Sequence, residues 1–260
     1  LVLGNYKNNV SLGEFHNLYW DIHEDNICSC GNKILNCSFW SNYINEKENI
    51  KEISSYREKS GSGKRFRRKK LNKIFKTKYD NLDKSSYTYA SKSYELLKKI
   101  IDREKYSNDI CFIDSSKDPY RLYDLLHSGL FDIKIIYLKK NPFAWIYSIL
   151  KNKKKIGILN IIKSILDYKI DHFIYETIIR KVDKRLCLKI NYNKIQNIQH
   201  FESIIESFLN INNKKEKNEH HIISGNKIKY SYKEFKPDNN YKDSFIYKYK
   251  FLINLFIKNE

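Results

Sequence analysis

Ile133-Lys134-Ile135-Ile136-Tyr137-Leu138-Lys139-Lys140-Asn141-Pro142 is the stretch whose reading decides the fold. Its first six residues are mostly β-branched or aromatic, and such a short apolar run predicts a buried strand. Asn141 is a good helix N-cap, and Pro142 suits the first helical position. A strand that turns directly into a capped helix is a building block of α/β proteins.

The same alternation extends on both sides. Val10-Ser11-Leu12-Gly13 reads as a short strand ending at Glu14. Residues 88–106 carry helical spacing, with Tyr89, Tyr94, Leu97, Ile100 and Ile101 predicted on one face. Ile110 to Asp114 predicts another buried strand, and residues 119–129 a helix with Leu122, Leu125 and Leu126 on its apolar stripe. After Pro142 one long helical region is expected to about residue 181, then a strand over 186–190 and helices over 200–209 and 244–257. The predicted class is α/β, with a mainly parallel sheet flanked by helices. Residues 41–85 are the most polar section and contain the basic run Arg65 to Lys70. They read as a charged surface excursion within a single domain spanning residues 1–260.

Composition narrows the classes. The chain has 260 residues, 41% of them apolar and 15% aromatic, which excludes a wholly disordered chain. With 3 Pro and 8 Gly it is neither collagen-like nor a linker protein. No apolar run is long enough to predict a transmembrane helix. The formal charge of +19 points to anions as partners. The 49 basic residues, however, are 41 Lys and 8 Arg, beside abundant Ile and Asn, so part of this charge reads as coding bias.

Five cysteines, an odd number, argue against a secreted disulfide scaffold. Cys111 and Cys187 lie in strand-like runs and are expected as small core residues. Cys28, Cys30 and Cys37 form a tight local cluster that His23 could complete as a metal site. Cys-x-Cys is cramped for tetrahedral zinc, whose sites usually show two separated pairs, so a structural turn is favoured and no metal is expected. His220 and His221 are adjacent, which suits neither a helical nor a strand chelate.

In parallel sheets the ligand sits beyond the carboxyl ends of the strands. Glu14 follows the first strand and, in a cleft, can act as a general base; taken alone it reads as a solvated loop residue. Asp114-Ser115-Ser116-Lys117 follows the second strand. Lys117 can stabilise developing negative charge there, with Ser116 as a hydroxyl donor, although an ordinary capped loop has the same pattern. Lys140 adjoins a helix N-terminus, a place that favours phosphate, and Ser148 lies two turns along that helix. Ser60-Gly61-Ser62-Gly63-Lys64 fails as a phosphate loop, because Glu58 stands where Gly is needed and Arg65 where Ser or Thr is needed.

Six of these pieces, in order, resemble one family: sulfotransferases that use 3′-phosphoadenosine 5′-phosphosulfate. Val10 to Phe15, followed by Cys28-Ser29-Cys30-Gly31 and Cys37-Ser38-Phe39-Trp40, resembles the region after the phosphosulfate loop of bacterial members. Ile113 to Lys117 resembles their "DSSK" turn. Tyr137 to Pro142, continuing to Tyr147-Ser148-Ile149-Leu150-Lys151, resembles "LVRDPR…YSxxR". Ile190 to Ile195 resembles "VRYEDL", and His221 through Asn226 to Lys229 resembles "H…GN…R". Pro237-Asp238 with Tyr241 resembles "DExW". The chain departs from the family at Lys140-Asn141-Pro142-Phe143, where Lys keeps the charge of Arg but not its forked contact.

The resemblance implies a P-loop nucleotide-binding-like sulfotransferase fold. The first strand and phosphosulfate loop are expected upstream of Leu1, so the chain is expected to be truncated at its N-terminus. It implies transfer of a sulfuryl group from 3′-phosphoadenosine 5′-phosphosulfate, as co-substrate, to a hydroxyl or amine of a glycan, lipid or small molecule. Glu14 would be the base and Lys117 would act at the leaving oxygen. Ser116, Lys140, Ser148, Lys151, Asn226 and Lys229 would bind the nucleotide. No metal, no specific nucleic acid and no transmembrane segment is expected, and cytoplasm is the expected location. The alternatives are a non-enzymatic binder of nucleic acid or other polyanions, resting on charge and on 21 Tyr, and an inactive relative of the family.

Overall fold

The computed structural model describes residues 3–46, 49–53, 74–75, 84–107, 109–151, 156–195, 197–211, 220–224 and 241–257. The basic run 65–70, the rejected loop 60–64, and Asn226, Lys229, Pro237 and Asp238 lie outside these residues. The chain divides into two compact units, Leu1–Asp132 with Ile211–Lys233 and Ile133–Asn210 with Glu234–Glu260.

In the first unit, β1 (Asn9–Gly13) pairs in parallel with β2 (Cys111–Asp114). On its other side β1 meets Ile223 in a parallel bridge at Gly13. A short turn leads from Glu14 into α1 (Leu18–His23), and α2 (Lys84–Glu104) and α3 (Pro119–Ser128) pack against each other. The core is built on Tyr6, Leu12, Phe15, Leu18, Ile34, Trp40, Tyr89, Leu96 and Ile100.

Here three expectations need correction. The buried stripe of α2 is Tyr89, Ser93, Leu96 and Ile100, while Tyr94 is 42% exposed. The intervals of four, three and four residues define one helical face, and Tyr94 lies off it. The strand β2 is not buried: Cys111 and Asp114 are exposed, so Cys111 is no core residue. Similarly, α3 buries Tyr120, Arg121, Tyr123 and Asp124, and its three leucines are half-buried.

In the second unit β3 (Ile135–Lys139) pairs in parallel with β4 (Cys187–Asn191). The expected long helix after Pro142 is two helices, α4 (Pro142–Leu150) and α5 (Ile158–Ile179). Gly157 caps the second, its amide donating to Asn160 Oδ1 at 3.0 Å. The helix α6 (Ile198–Leu209) follows β4, and α7 (Lys250–Phe256) is preceded by a tighter turn over Phe245–Tyr249. Ile146, Leu150, Ile161, Ile165, Ile246 and Ile253 form the core of this unit. Cys187 is half-buried.

The architecture is thus mixed α/β with parallel strand pairing, as the alternation predicts. Among the described residues the strands form two two-stranded ladders, β1 with β2 and β3 with β4. Among the same residues no helix is long and apolar enough to cross a membrane.

Candidate functional site

At the carboxyl end of β1 the chain must turn while Ile223 lies against it. Gly13 meets this demand: its φ is +79°, and a Cβ there would stand 2.2 Å from the Ile223 carbonyl oxygen. The Glu14 amide then donates to Ile223 O at 3.1 Å, which fixes where the Glu14 side chain starts. On the neighbouring strand, the Ser115 amide donates to Gly13 O at 2.7 Å, so the turn after β2 is tied to the same point.

These two strand ends bring the predicted residues together. Lys117 Nζ donates to Glu14 Oε1 at 3.1 Å, and Asn17 Nδ2 donates to Glu14 Oε2 at 3.0 Å. Lys117 is 74% exposed at its side chain and Glu14 18%, so the carboxylate is sheltered and the ammonium reaches out. Ser116 Oγ lies 2.7 Å from His16 Nδ1, and its amide donates to Asp114 Oδ1 at 2.9 Å. Arg121, buried, pairs with Asp114 and lies over the rings of Tyr89 and Phe15 at 5.6 and 6.0 Å. Burial, and then the charge of Arg121, lowers the His16 pKa, so its ring is neutral near pH 7.

His16, Asn17, Asp114 and Arg121 have structural parts here that the sequence reading did not assign. Arg121 carried the clearest signal: it is one of 8 Arg in a chain with 41 Lys. A buried ion pair favours the planar guanidinium over an ammonium. His16 carried little signal, because its partner Ser116 is 100 residues away.

The second unit holds Lys140, Ser148 and Lys151. Lys140 precedes α4, whose N-cap Asn141 accepts the Phe143 amide at 2.8 Å. The Lys140 carbonyl accepts from Tyr168 Oη at 3.2 Å. Ser148 is exposed, and its hydroxyl donates to Trp145 O at 2.7 Å, an ordinary bond within the helix. Lys151 lies over the Tyr147 ring at 6.0 Å. Tyr241 stacks on Phe143 with centroids 6.4 Å apart.

A cavity of about 420 Å³ lies elsewhere, at the amino ends of β1 and β2, lined by Asn8, Asn9, Ile110, Lys105 and His220 among others. It contains neither Glu14 nor Lys117. The paired carboxylate and cation sit at the opposite end of these strands, where parallel sheets hold ligands, and that is the stronger candidate for chemistry.

The cysteines also converge. Cys28, Cys30 and Cys37 meet His221, not His23, which is exposed and lies tilted against the Tyr19 ring. The reason is the segment 220–223, which pairs with both β1 and the cysteine turn: Ser29 N donates to Ile222 O at 3.1 Å, and Ile222 N donates to Ser29 Oγ at 2.8 Å. Compared with family models, curated proteins and solved structures, the chain shows no significant match to any.

Proposed function

We propose that this chain is a sulfotransferase that moves a sulfuryl group from 3′-phosphoadenosine 5′-phosphosulfate to a hydroxyl or amine. One observation carries the reading: Glu14 and Lys117, assigned as base and charge stabiliser by the motif resemblance, meet at 3.1 Å at the carboxyl ends of two parallel strands. Their residue numbers differ by 103, so sequence proximity does not account for the meeting.

The residues present fit a phosphosulfate-bearing substrate in part. Lys117 offers an exposed cation and Ser116 a hydroxyl, the donors that sulfate and phosphate oxygens take. Lys140 and Lys151 keep the 3′-phosphate role given by the resemblance. Ser148 fits less well, since its hydroxyl already donates to a carbonyl.

In the proposed reaction the acceptor oxygen or nitrogen bonds to sulfur as the bond from sulfur to the bridging phosphate oxygen breaks. Glu14 takes the acceptor proton. The Lys117 ammonium balances the negative charge that builds on the departing oxygen. This is positioning and electrostatic catalysis, as in phosphoryl transfer.

Thermal stabilisation by adenosine 3′,5′-bisphosphate, compared with 5′-AMP and ATP at two salt concentrations, tests the reading. A bound ligand at 100 times its dissociation constant stabilises by about 2.7 kcal/mol. Selective stabilisation by the bisphosphate is expected. Equal, salt-sensitive shifts from all three nucleotides would replace the reading with general polyanion binding.

A further inference from the structure

We propose that Cys28, Cys30, Cys37 and His221 bind one zinc ion in a closed tetrahedral site. This inference stands on the coordination geometry and does not rest on the sulfotransferase reading.

The four donor atoms, three Sγ and one imidazole nitrogen, lie within 4.8 Å of one another. A tetrahedral zinc with Zn–S near 2.3 Å sets its sulfurs about 3.8 Å apart. Cys30 Sγ and Cys37 Sγ are 3.7 Å apart, and Cys37 Sγ is 3.2 Å from His221 Nδ1. The same 3.7 Å is far longer than a disulfide bond of about 2.05 Å. Cys28 and Cys37 are fully buried. Three sulfurs with one imidazole match zinc in softness, and four protein ligands leave no open position, so the site is structural and not catalytic.

The surroundings are those a thiolate-rich zinc site needs. The Cys30 amide donates toward the Cys28 sulfur, and the amides of Phe39 and Trp40 toward the Cys37 sulfur. Such bonds spread the negative charge of three thiolates around one dication. Gly31, at φ +90°, closes the tight turn between the first two ligands and the rest: its amide donates to Cys28 O at 3.0 Å, and the Cys28 amide donates to Asn32 O at 2.8 Å. The His221 ring is held flat against Phe39, 5.2 Å between centroids at 7°, while its carbonyl accepts from Trp40 Nε1 at 2.6 Å. The cramped Cys-x-Cys spacing is therefore no obstacle. The remaining ligands arrive from seven residues away and from across the fold.

The ion would clasp the 220–223 segment to the cysteine turn. Ile223, two residues beyond the ligand, donates its amide to Leu12 O at 3.2 Å and accepts that of Glu14. Zinc thereby fixes the backbone from which Glu14 projects.

The test is the metal content of the full chain, expressed with zinc, purified under reducing conditions without metal-affinity resin, and read by inductively coupled plasma mass spectrometry. One zinc per chain is expected, with no iron. Chelation should lower the melting temperature and added zinc restore it, and cobalt(II) in its place should give thiolate charge-transfer and tetrahedral d–d absorption. Cys30→Ser and His221→Ala should each lose the zinc, while Cys111→Ser, at an exposed cysteine, keeps it. If a variant fails to fold, the wild-type zinc content and cobalt spectrum still decide. A zinc-free wild-type chain, iron in place of zinc, a disulfide among Cys28, Cys30 and Cys37, or zinc retained by both ligand variants would each overturn the proposal.

Discussion

At the end of β2 the chain turns through Ser115-Ser116-Lys117 into a helix capped by Asp118, with Pro119 at its first position. At the end of β3 it turns through Lys140 into a helix capped by Asn141, with Pro142 in the same place. The two junctions share a backbone plan and differ in charge. The first gathers Glu14, Lys117, Asp114 and Arg121 into paired acid and base groups, one of them through a buried guanidinium. The second presents a cation beside an amide-capped helix, with its nearby hydroxyl bonded to its own backbone. A junction of the first kind can move a proton and stabilise an anion. One of the second kind can hold an anion and do little more.

The sharpest way to break this contrast is at Glu14. Glu14→Gln keeps the size and the hydrogen-bonding reach of the side chain but removes the proton acceptor. Under the proposed function, sulfuryl transfer should fall by about 10²- to 10⁴-fold, the usual worth of a general base, with bisphosphate affinity close to wild type. Radiolabelled transfer and calorimetric binding read the two halves separately. Retained turnover would mean that the two junctions do not divide the chemistry in this way.

The second contrast is structural. Arg121→Leu leaves Asp114 without its guanidinium and removes a cation from between two rings. The cost should be about 2 kcal/mol in urea denaturation, from the lost packing of a buried side chain on two rings and the lost pairing with Asp114. Lys140→Ala, at the half-buried lysine of the other junction, should cost less, within about 1 kcal/mol of wild type. Equal effects would show that Arg121 is no more integrated into its unit than Lys140 is into its own.

Asp124 lies on the same helix as Arg121, and burial pushes its carboxyl up to about 8. An unfolded Asp titrates near 3.9, so between about pH 4 and pH 8 the folded chain holds a proton that the unfolded chain has released. Stability is therefore full below that window and is lost as pH rises through it. The slope is at most about 1.4 kcal/mol per pH unit from this group. Asp124→Asn should remove that slope, seen as a smaller stability difference between pH 6 and pH 7 than in wild type. An unchanged slope would show that the group is ionised in the fold.

Much of this was open to a reader of the sequence, because it depends on local signals. The strands at 9–13, 111–114, 135–139 and 187–191 follow from short apolar runs, and both Asx-Pro helix starts from capping chemistry. The break between α4 and α5 was missed although Gly157 stands in the sequence as a breaker; the apolar spacing on either side reads through it. Burial of β2 was overestimated because an apolar run does not say how many neighbours a strand has. Glu14 and Lys117 could be named, since each follows a strand, but their contact depends on register between β1 and β2, which no local pattern encodes. His221 adjoins His220, a pairing that suits neither a helical nor a strand chelate, and the nearest of its cysteine partners in sequence, Cys37, is 184 residues upstream; only the pairing of Ile222 with Ser29 brings them within reach.

The caps give the smallest effect and isolate the role of charge. Asp118 accepts the amides of Tyr120 and Arg121 at 2.8 and 3.1 Å, whereas Asn141 accepts that of Phe143 at 2.8 Å. Both satisfy amides that the helix cannot, and replacing either by Ala should cost about 1 kcal/mol. The carboxylate additionally faces the positive end of the helix dipole, an interaction of about 0.3–1 kcal/mol that salt screens. Asp118→Ala should therefore cost more than Asn141→Ala at low salt, and the two should converge as salt rises. Asp118→Asn separates the contributions further, because it keeps a capping oxygen and drops the charge. If that variant is as stable as wild type at low salt, charge has no part in the first junction's cap, and the contrast between the junctions rests on Glu14, Lys117 and Arg121 alone.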